Sequence, residues 1–492
     1  MKRWLLAVIV CSLVASGCGG RNKRISETAE TDRREGESGQ ETGEESSESP
    51  METSAVPEKK PVKVKGIYIS GYMAGSEGFQ AILDKIRGTE INTVVIDVKN
   101  DDGRITFVMD GAPTVNEIGA SEKYIRDIDG LMAQLKARGI YTIARVVAFR
   151  DPYLAEKKPE WSLKNRDGSL HRDNKGLAWV NPYRTEVWDY LVEVGTQAAE
   201  AGFDEIQFDY IRFATDSTMK QVAFDEAETR GRSKTDIITE FMEYAYDKLS
   251  ACNVFVSADV FGTIIGSRVD ADAVGQVYSD MAAHLDYICP MIYPSHYGDG
   301  NFGVEHPDME PYRTVLAALQ MSRQDLEAAR ETGKKQAIVR PWLQDFTASY
   351  LDHYITYGPK EIRDQIQAVY DAGYDEWILW SASNRYTWEG LLTREAAVEE
   401  EEEIARSREA AAALTEASSE AGDQQTASNT ESGTESEAES VAATVSGRPE
   451  AEKSLEGSVA VSEAVPETDG ENKKETRTRP NVVIVTTGGS KK

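Results

Sequence analysis

Eight apolar, β-branched runs, helical patterns between most of them, and a ring of polar residues at their downstream ends predict an α/β chain folded as a single (β/α)8 TIM barrel. The runs occupy residues 64–70, 93–100, 141–149, 205–213, 254–262, 287–297, 336–346 and 376–386. Amphipathic patterns at 78–87, 125–138, 185–201, 236–250 and 359–372 lie between them. Several close on a glycine such as Gly139, Gly202 or Gly373, the residue that most readily takes the left-handed conformation ending a helix. Residues 62–394 thus supply one barrel with enlarged loops, and no second domain is required. The largest insertion, 151–182, follows the third run and carries Trp161, His171 and Trp179, so it is expected to form a lid or a subsite wall.

In such barrels the chemistry collects at the C-terminal ends of the strands. Here those ends carry Asp97, Lys99, Asn100 and Asp101 after the second run, Arg150 and Asp151 after the third, Asp209 and Arg212 on the fourth, and Asp259 on the fifth. The sixth adds Tyr293, Ser295 and His296, the seventh Arg340, Trp342, Gln344 and Asp345, and the eighth Trp380, Ser383 and Asn384. No comparable set is apparent at the N-terminal ends. The stretch GFDEIQFDYIRF is the sharpest case: Asp209 closes a strand whose apolar neighbours Ile206, Phe208, Tyr210 and Ile211 make an ionised group costly unless something uses or pairs it. Two readings stay open, a catalytic carboxylate or an Asp that pairs with Arg212 or caps the next loop.

The ends of the chain read differently. Residues 1–17 combine Lys2 and Arg3 with a short apolar stretch, the pattern of a signal peptide too short to span a membrane. Val14-Ala15-Ser16-Gly17-Cys18 resembles a bacterial lipobox, which implies cleavage before Cys18 and a lipid anchor on its thiol, placing a secreted lipoprotein on the outer face of the cell membrane. Residues 18–61 are too polar to bury a core and are expected to be a disordered tether, whose ~40 residues span about 35 Å root-mean-square as a flexible coil. After Arg394 comes an acidic, Ala-rich helix expected over 395–414, then a disordered tail to Lys492. The formal net charge of −29 is shared about equally between tails and barrel, and no basic stripe exists, which excludes nucleic acid as a partner. Of four cysteines, Cys252 and Cys289 belong to the barrel and are expected on the fifth and sixth strands as buried thiols.

The stretches KGIYIS, VVIDVKNDDG, ARVVAFRDP, WVNPY, GFDEIQFDYIRF, VSADVFG, ICPMIYPSHY, RPWLQDF and WILWSASNRY resemble, across 64–388, the putative glycoside hydrolase domain family of bacterial secreted proteins and lipoproteins, distantly akin to α-amylase-type barrels. The resemblance implies hydrolysis of glycosidic bonds. Asp209 then occupies the place where α-amylase-like enzymes keep their nucleophile, and Asp259 the place of their acid, as Asp where those enzymes have the longer Glu.

Glycoside cleavage needs one protonated and one ionised carboxyl flanking a bond. Asp209 and Asp259 at matching heights on strands ~4.8 Å apart predict the close spacing of a retaining pair, with Asp209 as nucleophile and Asp259 as acid/base. Arg145 and Arg212 are expected beside Asp209, with Asp97 and Asp345 as reserve carboxyls. Sugar sites pair aromatic platforms with fixed polar groups, tasks expected of Trp179, Trp342, Trp380, Tyr210 and Tyr293, and of Lys99, Asn100, Gln344 and Asn384 respectively. No cofactor is expected. The five histidines fall in different units with no ligand spacing, so no metal site is predicted. The competing reading is a non-catalytic, lipid-anchored barrel that binds polysaccharide as an adhesion or scaffold module.

Overall fold

A computed structural model describes residues 59–428, with side chains through Leu414, and within them all eight strands form. They are β1 (Lys65–Ile69), β2 (Thr93–Lys99), β3 (Tyr141–Val147), β4 (Glu205–Asp209), β5 (Phe255–Phe261), β6 (Tyr287–Met291), β7 in two pieces (Ile338–Val339 and Trp342–Gln344), and β8 (Trp377–Trp380). Each pairs in parallel with the next, and β8 pairs with β1, so the sheet closes into the barrel. The expected tether, the tail after Ser428, and the signal and lipobox around Cys18 lie outside the described residues. Among the described residues no helix is long and apolar enough to cross a membrane.

Two cores hold the barrel. Between strands and helices lies a continuous apolar layer that includes Ile67, Val94, Ile96, Val146, Phe208 and Phe241. Inside the barrel the alternate residues meet, among them Val64, Tyr68, Val95, Ile143, Cys289, Trp342 and Ile378. Period-two alternation in β2 to β5 therefore sends Asp97, Arg145, Asp209 and Asp259 inward at the C-terminal end and Glu205 and Ser257 inward at the other. The helix Thr185–Glu200 ends as expected: Gly202 adopts φ +100°, a conformation costly for a residue with a Cβ, and turns the chain into β4.

Several strands are shorter than the apolar runs that announced them. β4 stops at Asp209 because Tyr210 takes φ +52°, rare for an aromatic residue, which ends the ladder. β7 breaks at Pro341, which has no N–H for the ladder. β8 stops at Trp380, four residues before Asn384 at φ +54°.

The N-terminal end of the barrel corrects an expectation. It holds a buried charge network of its own. Arg340, placed by sequence among the C-terminal groups, points the other way: its Nη1 donates to both Glu205 oxygens at 2.8 and 3.0 Å and its Nε to Glu376 at 2.8 Å. Tyr141 Oη donates to Glu205 at 3.0 Å, the Val64 amide donates to Glu376 at 3.2 Å, and the guanidinium lies 3.8 Å above the Tyr287 ring.

The acidic helix is longer than expected, Arg394–Ser428, and its first turns are docked. Glu401 pairs with Lys65 at 2.7 Å, Glu400 with Arg363 at 3.0 Å, and Arg408 with Asp375 at 2.6 Å. Cys252 sits half-buried in the turn before β5, not on a strand, whereas Cys289 is buried on β6, and neither forms a disulfide.

Candidate active site

The β4–β5 register pairs Phe208 with Ala258, so the next residues on each strand, Asp209 and Asp259, stand side by side at the C-terminal end. Their surroundings differ. Arg145 donates to Asp209 Oδ2 from Nε at 3.0 Å and from Nη2 at 2.6 Å, a two-pronged charge-assisted clamp, while the Tyr210 amide donates to Oδ1 at 2.6 Å. The other arm of Arg145 reaches Asp97 at 2.7 Å and Asp101 at 3.3 Å. Arg150 joins Asp101 at 3.2 Å and donates to the Tyr210 hydroxyl. One arginine thus contacts three carboxyl groups.

Asp259 is treated otherwise. Among the described residues no ion pair reaches it; its Oδ1 accepts the Trp342 indole N–H at 2.6 Å, and it is 1% exposed. Burial, reinforced by the charge of Asp209, pushes its carboxyl well above the usual carboxylate range, against the pull of the Trp342 N–H and Arg145. Asp97, buried and bonded to Tyr68 Oη at 2.6 Å, is pushed up to about 6 by burial in spite of Arg145. In Asp101 burial works in the same direction, but Arg145 and Arg150 prevail and hold it below its ordinary value.

Rings close the floor and walls. Trp380, half-buried at the end of β8, lies 4.3 Å from the Tyr68 ring and 5.6 Å from that of Trp342, with Arg145 over its face at 5.6 Å. Tyr293 is buried close enough to Asp259 and Asp209 for their charges to raise its hydroxyl further, after burial itself. Trp380 and Tyr210 are the partly exposed aromatics of the expected set. A groove of about 470 Å³ between the helices Phe79–Arg87 and Ile128–Ala137 shares no residue with this cluster.

The structure brings together Asp97, Arg145, Asp209, Tyr210, Asp259, Tyr293, Trp342 and Trp380, and gives the other expected site residues structural employment. Lys99 is fully buried and pairs with Asp151 at 2.8 Å. A register shift between Asp97 and Lys99 sets Lys99 beside Val146, which faces the outer layer, so the alternation that would have sent it inward is broken. Asn100 accepts the amides of Asp102 and Arg104 and caps its own turn. Trp179, 1% exposed, donates to Asp173 and packs edge-on against Tyr210 inside the long insertion. That insertion is pinned by bridges Ser162↔Val180 and Asn165↔Val222. Arg212 lies over the rings of Phe261, Tyr210 and Trp179 and donates to the Phe213 carbonyl. Asp345 accepts from the amide and hydroxyl of Thr387. Gln344 donates to Asp308, and Asn384 ties Ser70 and the Tyr68 carbonyl to the β8 loop. Sequence reasoning missed Tyr68, which touches both Asp97 and Trp380; its inward place followed from the alternation of β1.

The sequence profile of a family described as putative glycosyl hydrolase domain matches residues 66–386. A hypothetical protein from Ruminiclostridium thermocellum is 40% identical over 39% of this chain and 97% of its own, with a TM-score of 0.37. The glycoside hydrolase domain of PgaB from Bordetella bronchiseptica is 12% identical over 65% and 94% of the two chains, at a TM-score of 0.45. An α-galactosidase from Thermus thermophilus is 14% identical over 71% and 63%, at 0.41. The search of curated proteins finds no match. Because its profile spans the whole barrel from β1 to the loop after β8, the chain belongs to the putative glycosyl hydrolase domain family, with a glycosidase-like function.

Proposed function

We propose that this protein is an extracellular glycoside hydrolase, lipid-anchored through Cys18, that cleaves a cell-wall or extracellular polysaccharide by a retaining mechanism. Asp209 is the nucleophile and Asp259 the acid/base. The observation that carries this reading is the unequal treatment of two adjacent carboxyls: Asp209 in an arginine clamp, Asp259 with no cation among the described residues and a raised pKa. Such a pair separates into an ionised and a protonated member, as glycoside cleavage requires. Neighbouring strands ~4.8 Å apart suit the roughly 5 to 5.5 Å carboxyl separation of retaining enzymes. Trp342 occupies Asp259 Oδ1, which leaves Oδ2 to carry the proton toward the leaving oxygen. Asp209 then attacks the anomeric carbon, and the deprotonated Asp259 takes a proton from the water that releases the sugar. Trp380 offers an apolar face for a sugar ring, and Arg145 and Asp97 offer polar groups beside it.

One observation favours the second reading, a carbohydrate-binding barrel without catalysis: at 1% exposure, Asp259 is closed to a substrate in this structure. Incubating the purified chain with bacterial exopolysaccharides and peptidoglycan and measuring new reducing ends separates the two. New ends that vanish in Asp209→Asn support the hydrolase, while binding without new ends supports the second reading. Cys18→Ala is expected to move the protein from the membrane fraction to the medium, and unchanged partition contradicts the anchor.

A further inference from the structure

Folding assembles a cluster that the sequence concealed. Asp299 and His306, in the loop after β6, meet His353, in the loop after β7. The two imidazoles stack with ring centroids 3.7 Å apart. Both bring Nδ1 close to one carboxylate, His306 at 3.2 Å from Asp299 Oδ1 and His353 at 3.1 Å from Oδ2. One ring nitrogen from each histidine and one carboxylate oxygen of Asp299 fall within 4.8 Å of one another. A hydrogen-bonded trio explains only part of this. His306 Nδ1 is shielded from solvent yet makes no hydrogen bond, because its direction misses the Asp299 oxygen beside it.

We propose that Asp299, His306 and His353 bind a divalent transition-metal ion of the Zn²⁺ class, which fastens the β6 loop to the β7 loop at the rim of the barrel's C-terminal end. Metal–ligand bonds of about 2.0 to 2.2 Å in tetrahedral array put ligand atoms ~3.3 to 3.6 Å apart, near the spacings seen before any ion draws the groups in. Two imidazole nitrogens and one carboxylate suit Zn²⁺, Co²⁺ or Ni²⁺, whereas Ca²⁺ and Mg²⁺ prefer all-oxygen sites. Asp299 and His353 are exposed, which leaves the fourth position to water. Glu305 lies 3.8 Å from His306 Nε2, where a carboxylate orients a metal-bound imidazole. The loops are already joined beneath the cluster, since Asp308 accepts from Gln344 and from the Ile355 amide, and Tyr357 Oη donates to its carbonyl. The two loops that carry the ligands are therefore joined before the ion arrives.

The test is titration of the chelator-treated full-length protein with Zn²⁺ and Co²⁺, read by metal content after dialysis, by the visible absorption of tetrahedral Co²⁺, and by the thermal midpoint. The expected result is one equivalent bound with a micromolar or tighter Kd and a raised midpoint, with binding at least tenfold weaker in His306→Ala and His353→Ala. Should either histidine variant misfold, Asp299→Asn at an exposed position gives the same reading. No saturable binding, binding unchanged in these variants, or a preference for Ca²⁺ overturns the proposal.

Discussion

The barrel contains two buried arginine–carboxylate networks, one at each end, and they are built to opposite purposes. At the N-terminal end Arg340 touches both Glu205 and Glu376, and Tyr141 and the Val64 amide add a further donor to each in turn. At the C-terminal end Arg145 serves Asp97, Asp101 and Asp209, yet Asp259 beside them touches no cation among the described residues. Both ends pay desolvation. Only one leaves a carboxyl whose charged form burial and a neighbouring carboxylate both disfavour, and a carboxyl with a raised pKa is what a general acid needs. The difference teaches that buried charge alone does not mark a candidate site; a buried carboxyl left out of the ion pairing does.

The largest effect expected from breaking this contrast is at the N-terminal end. Arg340→Met strands two carboxylates, Glu205 among them fully buried, and should cost about 3–5 kcal/mol in urea unfolding, while Asp259→Asn, which removes a carboxyl whose charged form burial already disfavours, should change stability by less than about 1 kcal/mol. Equal losses would erase the distinction. The next effect is a pH dependence. Asp97, at about 6 when folded and 3.8 as a free side chain, binds more protons in the folded state, so its contribution is fully present below about pH 4 and lost as pH rises through 6. The loss is on the order of 3 kcal/mol. Relative to wild type, Asp97→Asn should gain that amount between pH 4 and 7, and a constant difference would mean that Asp97 is ionised throughout.

Asp209→Asn sharpens the comparison from the other side. The apolar neighbours of Asp209 make its charge costly, but the clamp offsets that cost, because without that charge Arg145 loses two charge-assisted bonds while keeping Asp97 and Asp101. A cost of about 1.5–3 kcal/mol, with hydrolysis at background, is expected from chemical unfolding and reducing-end assays. The smallest effect is expected of Trp380→Ala, which should raise KM without lowering the thermal midpoint by more than a few degrees, as roughly 0.5–1.5 kcal/mol of ring stacking is lost. A normal KM would remove Trp380 from the sugar platform.

The eight strands were legible because two-sided burial writes near-continuous apolar runs, and the inward carboxyls because they interrupt them. Arg145 beside Asp209 was legible too, since both sit at inward positions of adjacent strands. Lys99 misled because a register shift is invisible in a pattern of alternation, and Arg340 because the break at Pro341 hides which end of the barrel a residue reaches. Asn100, Asp345 and Asn384 carry the same polar atoms whether they meet a sugar or a backbone amide, so only their hydrogen bonds tell. His306 and His353 belong to different loops, and no spacing rule joins residues that meet only after the barrel closes.

The central claim, that Asp259 donates the proton, is tested most directly by the leaving-group dependence of Asp259→Ala. An activated aryl glycoside needs little protonation, whereas a natural linkage should slow by roughly 10² to 10⁴-fold. The account predicts near-normal cleavage of the first, loss of the second, and partial rescue by azide, which replaces the missing base in the second step. Equal loss on both substrates with no rescue would contradict it.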